Sequence, residues 1–255
     1  MSQVALGIDI GGSGIKAALV DVASGALVGE RQRLPTPQPS RPAAVADTVA
    51  EVVALVRAAS PDAEPDAIGA TFPAIVHHGV TMSAANVDDA WIGESAQARL
   101  SERLDAPVHL LNDADAAGLA EVGFGAARGI DGVVLVLTLG TGIGSALFLD
   151  GRLVPNTEFG HLNFAGHGSV EDWASDRARR EDGLSWKRWA KRLDRYLRHL
   201  SMLFSPELIV LGGGVSKHFE EKFAARLTLD VPVVAAALRN EAGIVGAAWE
   251  AHRRR

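Results

Sequence analysis

At about 150 residues per domain, a chain of 255 residues holds one large or two modest domains. Hydrophobic residues at 47% and charged residues at 22% are ordinary globular usage and exclude a fibrous or disordered chain. There is no cysteine, and the net charge is −6 from 25 basic and 31 acidic residues. Disulfides, thiolate nucleophiles and cysteine-ligated metals are therefore excluded together, and a generic nucleic-acid binder is disfavoured. The charge is uneven: residues 1–125 carry 7 basic and 16 acidic side chains, residues 126–255 carry 18 and 15. The start, MSQVALGID, lacks the basic and apolar pattern of a leader. The uncharged run 132–149 holds four glycines and reads as strand–turn–strand rather than a membrane span. A soluble, cytoplasmic protein with no nucleic-acid or membrane partner is expected.

In chain order, residues 4–10 form a strand, a glycine cluster turns the chain, and 16–21 return as a second strand. Residues 34–42, with four prolines in nine positions, predict an extended surface segment. Residues 43–58 carry Val45, Val49, Val52, Val53 and Val56 at helical spacing. A strand near 67–72, a loop, a helix near 94–104, a strand at 107–112 and an Ala-rich helix over 113–124 follow. The second half repeats this grammar, with strand 133–140, a glycine turn and strand 145–151. Residues 184–204 place Trp186, Trp189, Leu193, Tyr196, Leu197, Leu200 and Leu203 on one helix face, ended by Pro206. Strand 208–214, a helix from about 216, a strand near 231–235 and a helix from about 241 complete the chain. Strands alternating with helices predict an α/β protein with parallel pairing.

One internal repeat stands out. GSGIKAAL (12–19) and GTGIGSAL (140–147) agree at five of eight positions, each in a tight turn between strands. Two copies of one phosphate-gripping hairpin explain this better than chance. Glycine turns suit phosphate because bare backbone N–H groups approach anionic oxygens closely. A third turn is LGGGV (211–215), and neither the P-loop nor the dinucleotide fingerprint fits any of the three. Asp9, closing the first strand, suits the water shell of Mg²⁺ or, more simply, accepts from turn amides. In NDADAAG (112–118), Asp113 at a strand–helix junction is either an N-cap or a general base. Spacing alone does not separate Asp113 from Asp115 as the base. EFGH (158–161) and VEDW (170–173) are polar clusters that are either solvated loop residues or hydrogen-bonding groups suited to a neutral polyol. Nine basic residues in 177–198 form either a solvated helix face or a track for a polyanion longer than a nucleotide.

The set DIGGSGIK, NDADAAG, LGTGIG, EFGH and LGGGVS resembles the ROK sugar kinases, within the hexokinase–actin ATPase superfold. TPQP (36–39), ANVDDAWIG (85–93), PNTEFGHL (155–162), DGLSW (182–186), FSPEL (204–208) and LRNEAGIVGAA (238–248) bring it closer to that family's polyphosphate-dependent glucokinases and glucomannokinases. The resemblance runs from residue 4 to 249. It implies two ribonuclease-H-like domains with a cleft between them. The first is 1–112, rejoined by helix 241–255, and the second is 113–240. It implies a kinase for the 6-hydroxyl of glucose, and of mannose, using polyphosphate, ATP or both, with Mg²⁺. The alternatives are an ATP-only hexokinase for another hexose and a non-catalytic sugar binder; a sugar-responsive repressor would need a helix-turn-helix ahead of Val4. By similarity, Asp113 is the general base, and Asn112, Asn86, Glu158, His161 and Glu171 hold the sugar. Gly11, Gly12, Ser13 and Lys16, with Gly140, Thr141 and Gly142, cradle the donor phosphates, and Gly213 and Gly214 lie where relatives seat the nucleotide. The usual zinc motif of three cysteines and a histidine is missing, so no zinc is expected, and the loop after His161 must hold its shape without metal. A homodimer is implied.

Overall fold

The computed structural model describes residues 3–164 and 166–255. The chain divides into two compact units, Met1–Ala120 with Glu241–Arg255, and Glu121–Asn240.

The first unit is built on five strands: β1 (Val4–Gly11), β2 (Gly14–Asp21), β3 (Leu27–Leu34), β4 (Ile68–Phe72) and β7 (Val108–Asn112), in the order β3-β2-β1-β4-β7. The first three are antiparallel, and β4 and β7 join in parallel, so the sheet is mixed rather than parallel. The glycine turns explain this, because a two-residue connection can only return the chain antiparallel. A small ribbon, β5 (Val76–His77) and β6 (Val80–Thr81), lies outside the sheet. Helix α1 (Pro42–Ala59) buries the five predicted valines, and α2 (Ala96–Leu104) buries Ala96 and Leu100. Helix α7 (Ala242–Arg253) packs on β1 and β4 so closely that a Cβ on Gly7 would lie 2.1 Å from the Ile244 carbonyl oxygen. On Gly69 it would lie 1.9 Å from that of Ala247. Only glycine permits this approach, which seals the sheet face with small residues.

Helix α3 (Asp113–Phe124) leads into the second unit. Its sheet is β10 (Arg152–Val154), β9 (Ile143–Leu149), β8 (Val133–Leu139), β11 (Leu208–Gly212) and β12 (Val233–Ala235), in that order. The topology of the first sheet recurs, with three antiparallel strands and then two parallel. Two short helices, α4 (Glu171–Ala174) and α5 (Asp176–Glu181), precede α6 (Trp186–Phe204), which buries Trp189, Leu193, Tyr196, Leu197 and Leu200 on the sheet. Glu121, 1% exposed, accepts from the amides of Ala126, Ala237 and Leu238, which ties together the segments where this unit begins and ends.

Three further expectations are corrected. Residues 216–226 form short 3₁₀ and π turns instead of one helix. Leu203 is exposed, because the buried stripe of α6 ends at Leu200. The proline segment is only partly a surface strap: Thr36 and Ser40 are 6% and 3% exposed. Ser40 accepts from the Trp91 indole at 2.8 Å through its carbonyl and from the Asp88 amide at 2.9 Å through its hydroxyl.

Candidate active site

The β1–β2 turn is held from one side. Lys16 faces Asp9 across the hairpin, and its Nζ donates to Asp9 Oδ2 at 2.7 Å. Thr71, level with Asp9 on β4, donates to Oδ1 at 3.0 Å. The aspartate is thus spent on a lysine and a hydroxyl rather than on the turn amides. The turn carbonyls are taken in succession by the following segment: Thr36 Oγ1 donates to Gly11 at 2.5 Å, Gln38 Nε2 to Gly12 at 3.5 Å and Arg33 Nη2 to Ser13 at 3.2 Å. Asn86, in the left-handed region at φ 61°, packs on Gly12, where a Cβ would lie 2.7 Å from the Asn86 carbonyl oxygen. Asn86 and the glycine turn therefore share one corner of the first unit.

At the β7–α3 junction the cap is Asn112. Its Oδ1 accepts from the amides of Ala114 at 2.8 Å and Asp115 at 3.0 Å, and its Nδ2 donates to the Ala74 carbonyl at 3.0 Å. Such a cap is worth about 1 kcal/mol to the helix. Asn112 is 6% exposed, so most of its hydrogen-bonding capacity serves the fold. Asp113 is consequently the first helical residue, exposed, with Oδ1 accepting from the Ala114 amide at 2.9 Å. Asp115 is 2% exposed. The two aspartates that spacing does not distinguish therefore differ in exposure, Asp113 open and Asp115 buried.

In the second unit, Glu158, His161 and Glu171 come together. His161 Nδ1 lies 3.9 Å from Glu158 Oε2, and its Nε2 lies 3.7 Å from Glu171 Oε1. The Phe159–His161 turn reaches this place because Gly160 sits on β9, where a Cβ would be 2.1 Å from the Ile143 carbonyl oxygen. Ser145 fixes its start, accepting from the Phe159 amide at 2.9 Å. Burial pushes the Glu158 carboxyl above its ordinary value, with the Glu171 charge adding and His161 opposing. Glu171 also braces the second hairpin: Oε2 accepts from the Ile143 amide at 3.0 Å and sits 2.5 Å from where a Cβ on Gly142 would be. Burial above all, and then Glu171, keep the Tyr196 phenol neutral far above its usual range.

Of the glycines assigned to donor phosphates here, Gly140 and Gly214 face open space, while Gly142 faces the Glu171 carboxylate. Gly213, at φ 78°, packs on the Leu139 backbone at 2.4 Å from a would-be Cβ, and so places the third turn beside the second. The loop after His161 is held by aromatic contacts. Trp173 stacks on His167 at 4.8 Å and packs on Phe164 at 5.6 Å, and Ser169 Oγ donates to the Gly160 carbonyl at 2.8 Å. Among the described residues no cluster of His, Asp and Glu has metal-holding geometry, and no helix is long and apolar enough to cross a membrane.

The basic segment is mostly neutralised. Arg177 pairs with Asp172, Arg179 and Arg180 with Asp176, Arg192 with Asp182, and Arg198 with Asp194. Arg195 lies over the Phe164 and Trp173 rings. Among the described residues, Lys187, Arg188 and Lys191 have no acidic partner and are exposed. Lys187, Lys191 and Arg195 follow one another at four-residue spacing along a single face of α6.

Two sheets of one mixed topology, each opening on a glycine hairpin, define the fold class of the sugar kinases and the actin-like ATPases. The chain belongs to the ROK family, whose model matches residues 5–178. It is 46% identical over 243 residues to the polyphosphate glucokinase of Mycobacterium tuberculosis, covering 95% of this chain and 89% of the relative. Among solved structures it is similar to the inorganic polyphosphate/ATP-glucomannokinase of Arthrobacter sp. strain KM, with TM-score 0.93 and 52% identity over 99% of this chain and 100% of that one. A ROK family glucokinase from Streptomyces griseus, solved with glucose and AMPPNP, matches at TM-score 0.80 and 25% identity over 98% and 99%.

Proposed function

We propose that this protein phosphorylates the 6-hydroxyl of glucose, and of mannose, with inorganic polyphosphate or ATP as donor. The observation that carries the reading is Asp113, an exposed carboxylate at the start of α3 with Asn112 capping the helix behind it. Its carboxylate takes the proton of the sugar hydroxyl as that oxygen bonds to the terminal phosphorus. The bridging oxygen leaves with its electron pair on ADP or on polyphosphate shortened by one unit. Asn112 acts chiefly by positioning Asp113, and Asn86, Glu158, His161 and Glu171 hold the remaining hydroxyls. Gly11, Gly12, Ser13 and Lys16 take the donor in the first unit. In the second, Gly140, Thr141 and Gly214 take it, while Gly142 and Gly213 set the backbone.

Phosphoryl transfer asks the protein mainly for positioning and charge neutralisation, and Mg²⁺ supplies part of the latter when it is bound with the donor. Asp9 fits that ion through its waters, since Lys16 and Thr71 already occupy its oxygens. The reading includes no structural zinc, a cytosolic location and a homodimer; light scattering on the purified chain decides the last. Names of relatives that include polyphosphate support the donor assignment.

The test is Asp113→Asn. Removing a general base lowers rate by about 10² to 10⁴, and glucose binding by calorimetry should survive. Turnover within about threefold of wild type, too small a loss for a missing base, would remove Asp113 from that role.

A further inference from the structure

We infer that Arg33 is a contact for the donor phosphates, a second cation beside the first hairpin that, unlike Lys16, is not held by a carboxylate; the inference rests on the kinase reading above. In the strand register, Arg33 pairs with Lys16, and Lys16 pairs with Asp9. Directly opposed residues of antiparallel strands share a sheet face, so the three side chains form a row beside the glycine turn. Lys16 spends its charge within that row, 2.7 Å from Asp9 Oδ2. Arg33 does not: it is exposed, and among the described residues no carboxylate lies within ion-pair range of it.

Its placement is specific to the turn. A Cβ on Gly14 would lie 2.7 Å from Nε and 2.8 Å from Nη2 of Arg33, so the guanidinium rests on the glycine backbone. Nη2 donates to the Ser13 carbonyl at 3.2 Å. That one bond orients the planar fork, and four of its five N–H donors remain for a ligand. An oriented guanidinium grips phosphate oxygens in a bidentate manner, which a lysine cannot do. The same bond offsets the partial negative charge of a carbonyl that an incoming phosphate would otherwise meet. Gly14 therefore has a second role in GSGIK besides making the turn, because any side chain there would displace Arg33.

The experiment compares wild type, Arg33→Gln and Arg33→Lys. Glutamine keeps an amide donor for the Ser13 carbonyl but no charge; lysine keeps the charge but no fork. Loss of a charge-assisted phosphate contact should raise the donor KM of Arg33→Gln about tenfold for both ATP and polyphosphate. The glucose KM and Tm should stay at wild-type values, and Arg33→Lys should fall between. Tripolyphosphate binding by calorimetry should weaken by a similar factor in Arg33→Gln, and its salt dependence should become shallower. Donor KM and tripolyphosphate affinity within twofold of wild type in both variants would overturn the assignment. So would equal rises in the donor and glucose KM with a lowered Tm, which is the signature of a turn clamp. A wild type that phosphorylates no hexose would overturn the kinase reading instead, and tripolyphosphate binding would still decide whether Arg33 holds a polyanion.

Discussion

The two units share a sheet order and a glycine hairpin, yet they brace the hairpin with opposite charge. In the first, cationic and neutral donors from 33–38 tie down the turn carbonyls, and Lys16 bridges to Asp9. In the second, the carboxylate of Glu171 holds the Ile143 amide and leans on Gly142. Repeating a backbone motif therefore does not repeat its chemistry. Glycine and strand register set the turn, and the side chains that reach it from elsewhere set what it can bind. A cation-lined turn meets phosphate with side-chain charge, whereas in the second turn the open backbone at Gly140 is left for phosphate while the neighbouring carboxylates and histidine suit hydroxyl groups.

The largest difference should come from adding one methyl group to each turn. In Gly12→Ala the new Cβ meets the Asn86 backbone oxygen at 2.7 Å, and backbone cannot step aside. Overpacking of that kind costs about 2–3 kcal/mol. In Gly142→Ala the obstacle is the end of the Glu171 side chain at 2.5 Å, which can rotate away. The cost there is about 1 kcal/mol for the lost bond. Urea titration of both variants checks the order; equal losses would mean the turns are braced alike.

Charge on α6 is the next test. Reversing Lys191 and Arg195 to glutamate together should raise the KM for long polyphosphate about tenfold, since exposed contacts are individually weak. The KM for ATP should change less, and rising salt should act on polyphosphate more steeply. Equal effects on both donors would make the row a solvated face.

Smaller still is the pH response. The Glu158 carboxyl is held above its ordinary 4.5 by burial, so the folded state keeps its proton more firmly than the unfolded chain does. That contribution is fully present below the unfolded value and is lost as pH rises through the folded one. Glu158→Gln should therefore flatten the fall in Tm on the alkaline side of that range. An unchanged profile would show the shift to be negligible. Least of all should chelation matter: dialysis against EDTA should leave Tm unchanged because aromatic packing holds the loop after His161. About one zinc per chain by elemental analysis would contradict this, since a structural zinc contributes directly to folding.

Much of this was legible beforehand, for identifiable reasons. Hairpins with glycine turns, the valine stripe of α1 and the long amphipathic α6 are local patterns, and they lie where periodicity puts them. The aspartate pair was not separable, because spacing gives direction on a helix but not depth, and depth is what distinguishes Asp113 from Asp115. Arg33 was invisible for a related reason. It sits in a polar edge strand that carries no motif, and only the β2–β3 register brings it to the turn. The proline segment misled because its composition resembles a linker, while Thr36 and Ser40 carry its structural bonds.

The most direct measurement is a hexose panel assayed in parallel with ATP and with polyphosphate, following sugar 6-phosphate by ³¹P NMR in the presence of Mg²⁺. Glucose, and mannose with it, should be phosphorylated at the 6-position from both donors, with polyphosphate shortened stepwise. Turnover with ATP alone on some other hexose would contradict the donor and substrate assignment. No turnover with any pair would contradict the kinase reading itself.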